Sequence, residues 1–213
     1  MFGLVNQSSN PIFTLEVPGR TGVIGLAPCP GIRLDSAKRG NAQKILKRDI
    51  AAFHEWGATG VVTLNETDEL INLGLENLGD ELQAAGFWWR HLPIVDMNVP
   101  VASFEESWKI EGQQINASLA AGEKVIIHCL AGLGRTGMIA ARLLVDIGVP
   151  PETAIADVRR VRPRAIQTNA QEDYVRQHKK NTRHERWNRL QGRQGATFSK
   201  ATNNKPPMKG FGT

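Results

Sequence analysis

Cys129 and Arg135 have five residues between them in HCLAGLGRTG (residues 128–137), and this stretch offers two incompatible chemistries. Gly132, Gly134 and Gly137 spell GxGxxG after an apolar run, a loop type that can cradle a pyrophosphate. Cys129 and Arg135 spell Cys-x5-Arg, which lets a thiolate and a guanidinium face one anion. The two readings differ in what must follow the loop. A dinucleotide site needs a βαβ unit, with an acidic residue about 20 positions on at the end of the next strand. Here the helix expected after the loop ends at Gly148, and VPPETA then opens another helix. Asp157 has roughly the right offset but falls inside that second helix, so the dinucleotide fingerprint is only half present.

The cysteine reading explains more positions with one mechanism. A loop that leaves a strand at Cys129 and enters a helix near Arg135 can turn the N–H groups of Leu130, Ala131, Gly132, Leu133, Gly134 and Arg135 toward one point. That point lies at a helix N-terminus carrying about half a positive charge, which suits a phosphate dianion. Gly132 and Gly134 permit left-handed or crowded backbone, and Arg135 can grip two phosphate oxygens with its planar fork. The same field favours the thiolate of Cys129. An inert buried thiol, the usual state of a lone cysteine at a strand end, would need no arginine at this spacing.

HCLAGLGRTG resembles the HCxxGxxRS/T signature of protein tyrosine and dual-specificity phosphatases. The resemblance extends to the cyclin-dependent-kinase-associated branch through GLAPCPGIR (residues 25–33), LPIVDMNVP (residues 92–100) and AIQT (residues 165–168), which have counterparts there in the same order. It spans roughly residues 22–178. It implies an α/β fold with a mixed, about five-stranded sheet flanked by helices. It also implies phosphomonoester hydrolysis through a cysteinyl-phosphate, with no metal and no cofactor. On this resemblance Cys129 is the nucleophile, Asp96 the general acid and Gln167 the residue that places the hydrolytic water. Asp96 also suits a turn between Pro93 and Pro100, and Gln167 a polar position before a helix cap. Thr136 can hydrogen-bond the sulfur as it leaves, or simply open the helix. His128 is expected to order the loop, since its side chain leaves the strand on the face opposite to Cys129.

The expected substrate is a phosphorylated protein carrying phosphotyrosine, with phosphoserine and phosphothreonine admitted to a shallow pocket. The alternatives are a phosphoinositide or RNA 5′ phosphatase on the same scaffold, or an adaptor that binds phosphate without turnover. Lipid phosphatases with this loop usually place lysines inside it, whereas the variable positions here are Leu130, Ala131 and Leu133. An adaptor would not need Cys129, Arg135 and Asp96 all intact.

The elements that must position these residues are readable from periodicity. Residues 12–17 and 22–26 alternate as two strands around a ProGlyArg turn, an N-terminal hairpin over about residues 12–26. Helical spacing follows over residues 42–56, closed by Gly57, and then a buried strand over 59–64. Short helices are expected over 68–73 and 78–85, with a strand over 87–92 that points Trp88 and Trp89 to opposite faces. Ser103 with Glu106 predicts a capping box for an amphipathic helix to about residue 121. KVIIHC reads as a central strand covered on both faces, and the helix after it is apolar nearly all round. Pro151 starts a helix to about residue 160, and Thr168 with Gln171 predicts a second capping box. The arginines at 159, 160, 162 and 164 suit either acidic substrate segments or a solvated helix end.

Composition sets the outer limits. A chain of 213 residues, 41% hydrophobic and 22% charged, is ordinary for one globular domain, taken as residues 1–180. The net charge of +5 hides an asymmetry: residues 176–213 hold ten Lys and Arg against one Glu, leaving 16 basic against 20 acidic residues before them. Nucleic acid is therefore not an expected partner, except through the basic, loosely ordered tail of residues 181–213. No run approaches the roughly 18 apolar residues of a membrane span. Two cysteines far apart, in no metal-ligand spacing, point to a reducing cytoplasmic setting without disulfides. Cys29, between Pro28 and Pro30, is expected to be a packed loop thiol; the alternative is redox protection of Cys129, which nothing in the sequence places nearby. A monomer is favoured.

Overall fold

The computed structural model describes residues 9–33 and 42–178. The tail of residues 181–213 lies outside the described residues. The hairpin forms as expected, with β1 (Phe13–Glu16) antiparallel to β2 (Val23–Pro28). Chain order continues through α1 (Ala42–Trp56), β3 (Gly60–Thr63), α2 (Thr67–Leu73), α3 (Leu78–Ala84) and β4 (Trp88–His91). It ends with α4 (Ala102–Ala120), β5 (Lys124–Cys129), α5 (Gly134–Asp146), α6 (Pro151–Val161) and α7 (Asn169–Gln177). The sheet is mixed and five-stranded in the order β1-β2-β5-β3-β4, with every pairing parallel except the first.

Side-chain alternation along β5 divides the core in two. Val125, Ile127 and Cys129 face α4, α5, α6 and α7, while Ile126 faces α1, α2 and α3. This is why the KVIIHC run is unbroken: a central strand with helices on both faces has no polar side to spare. Trp88 and Trp89 go to opposite faces, as the alternation predicts. α5 is buried on every side from Gly134 to Val145, because it lies between the sheet and the α6–α7 layer. Helix α6 follows α5 directly, so no strand stands where a dinucleotide-binding unit would need one.

Both predicted capping boxes are altered. At α4 the helix starts two residues early, with extended Val101 (φ −97°, ψ 173°) as its cap in place of Ser103. Ser103 therefore already lies in the first turn, and Glu106 turns outward to Lys109 Nζ at 2.6 Å. At α7 Thr168 Oγ1 does accept from Gln171 N (3.1 Å), but the Gln171 side chain takes the N–H of Gln167 instead of that of Thr168.

Candidate active site

Because β2, β5, β3 and β4 run parallel, the segments leaving their carboxyl ends meet along one edge of the sheet, the usual location of ligands in such sheets. Cys29 follows β2, Glu69 lies just after β3, Asp96 follows β4, and Cys129 ends β5.

The loop from Leu130 to Leu133 is held by its carbonyls. Leu130 O accepts from Cys29 N (3.1 Å), Ala131 O from Arg162 NH2 (3.1 Å) and Gly132 O from Arg162 Nε (3.2 Å). Leu133 O accepts from Gly137 N (2.9 Å) and Ile166 N (3.3 Å). In a trans peptide the carbonyl of one residue points away from the N–H of the next, and none of the peptides is cis among the described residues. Carbonyls tied outward therefore turn the N–H groups of Ala131, Gly132, Leu133 and Gly134 inward, beside Cys129. Gly132 takes φ +66°, and a Cβ there would lie 2.5 Å from the Ala27 carbonyl. Gly134 is needed for space alone, since its Cβ would meet Gln167 Oε1 at 2.8 Å and Gln171 Oε1 at 3.0 Å.

Arg135 is wholly buried and four protein acceptors surround its fork. NH1 donates to Glu69 Oε2 (2.5 Å) and Ile94 O (3.0 Å). NH2 donates to Glu69 Oε1 (2.9 Å) and pairs with Asp96 Oδ1 at 2.9 Å. Its Nε is buried without a partner. Burial works against this charge, but the Glu69 hydrogen bonds and the negative charges of Cys129, Glu69 and Asp96 outweigh it and hold Arg135 above its ordinary range. Glu69 resists burial in turn through Arg135 and the Glu66 N–H (2.8 Å), which keep its carboxyl below the usual value.

Asp96 is 53% exposed in its side chain, so one half of the pair is open to solvent. Val95 and Met97 flank it and are 46% and 49% exposed, giving the mouth an apolar rim. Gln167 stands beside Gly134, as the glycine contact shows. The structure thus brings Cys129, Arg135, Asp96 and Gln167 to one place.

His128 is on the far side of the strand, with Nε2 and Thr63 Oγ1 2.8 Å apart. Burial drives its pKa down to about 3, so the ring is neutral at ordinary pH. The hydroxyl of Thr136 is buried without a hydrogen-bond partner, and its bond to the Cys129 sulfur is not formed here: in this resting arrangement the hydroxyl has no acceptor. Cys29 proves to be a close neighbour of the loop, since its N–H holds Leu130 O and the preceding Pro28 pairs in register with Cys129. Burial, with Cys129 next, pushes its thiol far up, as for a packed, unreactive sulfur.

Three residues carry roles that the sequence reading did not assign. Glu69 holds Arg135, and its one local signal is the Glu-x-x-Glu spacing at the start of α2. Arg162 stacks its guanidinium 4.3 Å from the Phe13 ring centroid and holds two loop carbonyls. Gln171 joins the Gln167 segment to the Asp96 loop. The arginine cluster divides accordingly: Arg159 binds Ala165 O, Ile166 O and Glu172, Arg160 pairs with Asp157, and Arg162 serves the loop.

Comparison with known proteins agrees with this geometry. A family model described as "Polymorphic toxin system, DSP-PTPase phosphatase" matches residues 36–149. Human "Cyclin-dependent kinase inhibitor 3" is 32% identical over 156 residues, covering 71% of this chain and 69% of that protein. The crystal structure of kinase-associated phosphatase, with its catalytic-site cysteine replaced by serine, superposes with a TM-score of 0.69 at 27% identity. That match covers 87% of this chain and 98% of that one. The active form of Tk-PTP gives a TM-score of 0.56 at 26% identity, covering 76% and 93% of the two chains.

Proposed function

The chain belongs to the dual-specificity phosphatase superfamily, in its cyclin-dependent-kinase-associated branch, and is a phosphatase; from that premise we propose that it hydrolyses phosphotyrosine, phosphoserine and phosphothreonine in proteins through a phosphocysteine at Cys129. The observation that carries the reading is the loop whose carbonyls are all tied outward, so that four N–H groups and Arg135 converge beside one thiol.

A bound phosphate takes the inward N–H groups through its equatorial oxygens, and Arg135 supplies the fork. No metal is required in this scheme, because amides, helix N-terminus and guanidinium together meet the charge that develops on the transferring group. Cys129 Sγ attacks phosphorus and the ester oxygen leaves, taking a proton from Asp96. Asp96 then removes a proton from the water that Gln167 places, and attack by that water on phosphorus releases phosphate and the Cys129 thiolate. The ion pair between Asp96 and Arg135 adds a step at the start. The carboxylate occupies the fork's NH2, so an incoming phosphate displaces it, and Asp96 takes up a proton from solvent or from the phosphate monoanion before it swings to the leaving group. Among the described residues, Val95 and Met97 flank Asp96 and the loop positions Leu130, Ala131 and Leu133 are uncharged, which favours a singly phosphorylated side chain over a polyphosphorylated headgroup.

The decisive experiment is turnover of phosphotyrosine, phosphothreonine and phosphoinositide substrates in EDTA by wild type, Cys129→Ser and Asp96→Asn. Metal-independent turnover of phosphopeptides that Cys129→Ser abolishes is the expected result. A phosphoinositide turned over faster than either peptide would overturn the substrate assignment, and phosphopeptide binding without turnover would make the protein an adaptor. Asp96→Asn carries a second reading: with the competing carboxylate charge removed, tungstate should bind about tenfold more tightly, and unchanged affinity would refute the displacement step.

A further inference from the structure

Gln171 is completely buried, and its amide bridges two separate loops. Its Oε1 accepts the N–H of Gln167 (3.0 Å) and its Nε2 donates to the carbonyl of Asn98 (3.2 Å). Only this orientation of the amide works, since the reverse would set oxygen against carbonyl and NH2 against N–H. Both atoms also abut Gly134, at 3.0 and 3.1 Å from where its Cβ would lie, which fixes the bridge against the start of α5.

Each of the bridged segments contains a non-glycine residue in the left-handed region: Met97 (φ 60°), next to Asp96, and Ile166 (φ 59°), next to Gln167. Such a conformation is unfavourable for a residue with a Cβ, and it persists only where surrounding contacts fix it. The contacts here come from α7: Thr168 Oγ1 donates to Met97 O (3.4 Å), Gln171 Nε2 holds Asn98 O, and Gln171 Oε1 holds Gln167 N.

We propose that Gln171 is a positioning residue that sets Asp96 as acid in the first chemical step and base in the second, and Gln167 in the second alone, through the two ends of one amide. This rests on the phosphocysteine mechanism. It makes the two arms separable by substitution. In Gln171→Glu the ionised carboxylate still accepts from Gln167 N with one oxygen while the other repels Asn98 O and releases the Asp96 loop; the protonated carboxyl donates to Asn98 O and restores the bridge, so the variant is read across a pH series against wild type. In Gln171→Leu both arms go.

The test is rapid acid-quench measurement of phosphoenzyme on wild type and both variants, with an aryl phosphate and an alkyl phosphate. A leaving alkoxide depends on the general acid far more than a leaving phenolate does. Gln171→Glu should therefore slow phosphoenzyme formation from the alkyl ester about tenfold or more relative to the aryl ester, within the range general acids contribute. Gln171→Leu should do the same and raise the steady-state phosphoenzyme fraction from the aryl ester several-fold beyond that in Gln171→Glu, because Gln167 is also released from the water. An alkyl-to-aryl ratio in folded Gln171→Glu that matches wild type at every pH of the series would overturn the proposal. So would an equal loss in both steps and on both esters together with a lowered Tm, which is the signature of a structural role. Should Gln171→Leu fail to fold, the ratio in Gln171→Glu still decides the matter. If wild type forms no phosphoenzyme at all, the underlying mechanism has failed, an outcome plainly different from a bridge that does nothing.

Discussion

Helix α5 carries two buried arginines two turns apart, and they are built for opposite purposes. Arg135, at its first turn, grips Glu69 with both arms of its fork; Arg142 grips Glu105 in the same way, NH1 to Oε1 at 2.8 Å and NH2 to Oε2 at 2.7 Å. Both leave Nε unpaired. What differs is the surroundings. Arg142 lies among rings, 4.7 Å from the Trp108 centroid, 5.4 Å from Tyr174 and 5.9 Å from Phe104, and NH1 also donates to the Tyr174 hydroxyl. Arg135 has Asp96, Glu69 and Cys129 around it instead. Burial dominates at Arg142 and lowers it despite Glu105 and Asp146, whereas the negative charges prevail at Arg135 and raise it. One arginine closes a stack against solvent; the other faces an excess of acceptors, one of which, Asp96, is free to leave.

Substituting each arginine should separate these purposes most sharply. Arg135→Lys keeps the charge and loses the fork, so kcat/KM should fall about 10³-fold, with Tm nearly unchanged. Arg142→Met should lower stability by about 2 kcal/mol through the lost ring contacts and ion pair. Its kcat for the folded fraction should stay within a factor of two or three of wild type. Urea unfolding alongside steady-state kinetics reads both. If Arg142→Met loses activity at unchanged stability, the division between the two arginines is wrong.

The glutamates sharpen the same contrast with smaller effects. The Glu105 side chain is 38% exposed while Arg142 is 4% exposed, so removing the glutamate strands the more buried partner. Glu105→Gln should therefore cost stability of about 1 to 2 kcal/mol and little activity. Glu69→Gln turns a donor toward a donor at Arg135, and it should reduce kcat/KM about tenfold as the fork loses its alignment. Equal Tm losses in the two variants, with equal activity, would erase the distinction.

How much of this was legible in the sequence follows from the range of each interaction. The helix over Ala42–Trp56 and the existence of the five strands come from local periodicity and turn residues, and they were readable, with the ends of β1 to β4 displaced by one or two residues. Cys129, Arg135, Asp96 and Gln167 each lie in a contiguous motif and were readable through resemblance, and the fold brings them together. Glu69, Arg162 and Gln171 act on partners 66, 30 and 73 positions away, and no local pattern encodes those distances. The Ser103 capping box failed because tertiary packing set where α4 begins. Cys29 was read as a packed thiol, which its burial supports, but its place beside the loop depends on the parallel pairing of β2 with β5.

His128 gives the last and smallest test, because it belongs to the signature loop by sequence and to the fold by chemistry. Burial holds its folded pKa at about 3, below the 6.5 of an unfolded histidine. Between these values the unfolded chain binds a proton that the folded chain does not. Stability thus rises with pH through this window and is lost as pH falls from about 6.5 toward 3, at up to about 1.4 kcal/mol per pH unit from this one group. Above pH 6.5 the group contributes no slope. His128→Gln, whose amide can still bond Thr63 Oγ1, should flatten the difference between urea midpoints at pH 7 and pH 5 relative to wild type. An undiminished difference in that variant would refute the assignment to His128, because carboxylates held below their usual value of 4.5, such as Glu69, lose their contribution only as pH falls below about that value. The arginine contrast extends to that lower range, where protonating Glu69 removes a charged acceptor from the Arg135 fork.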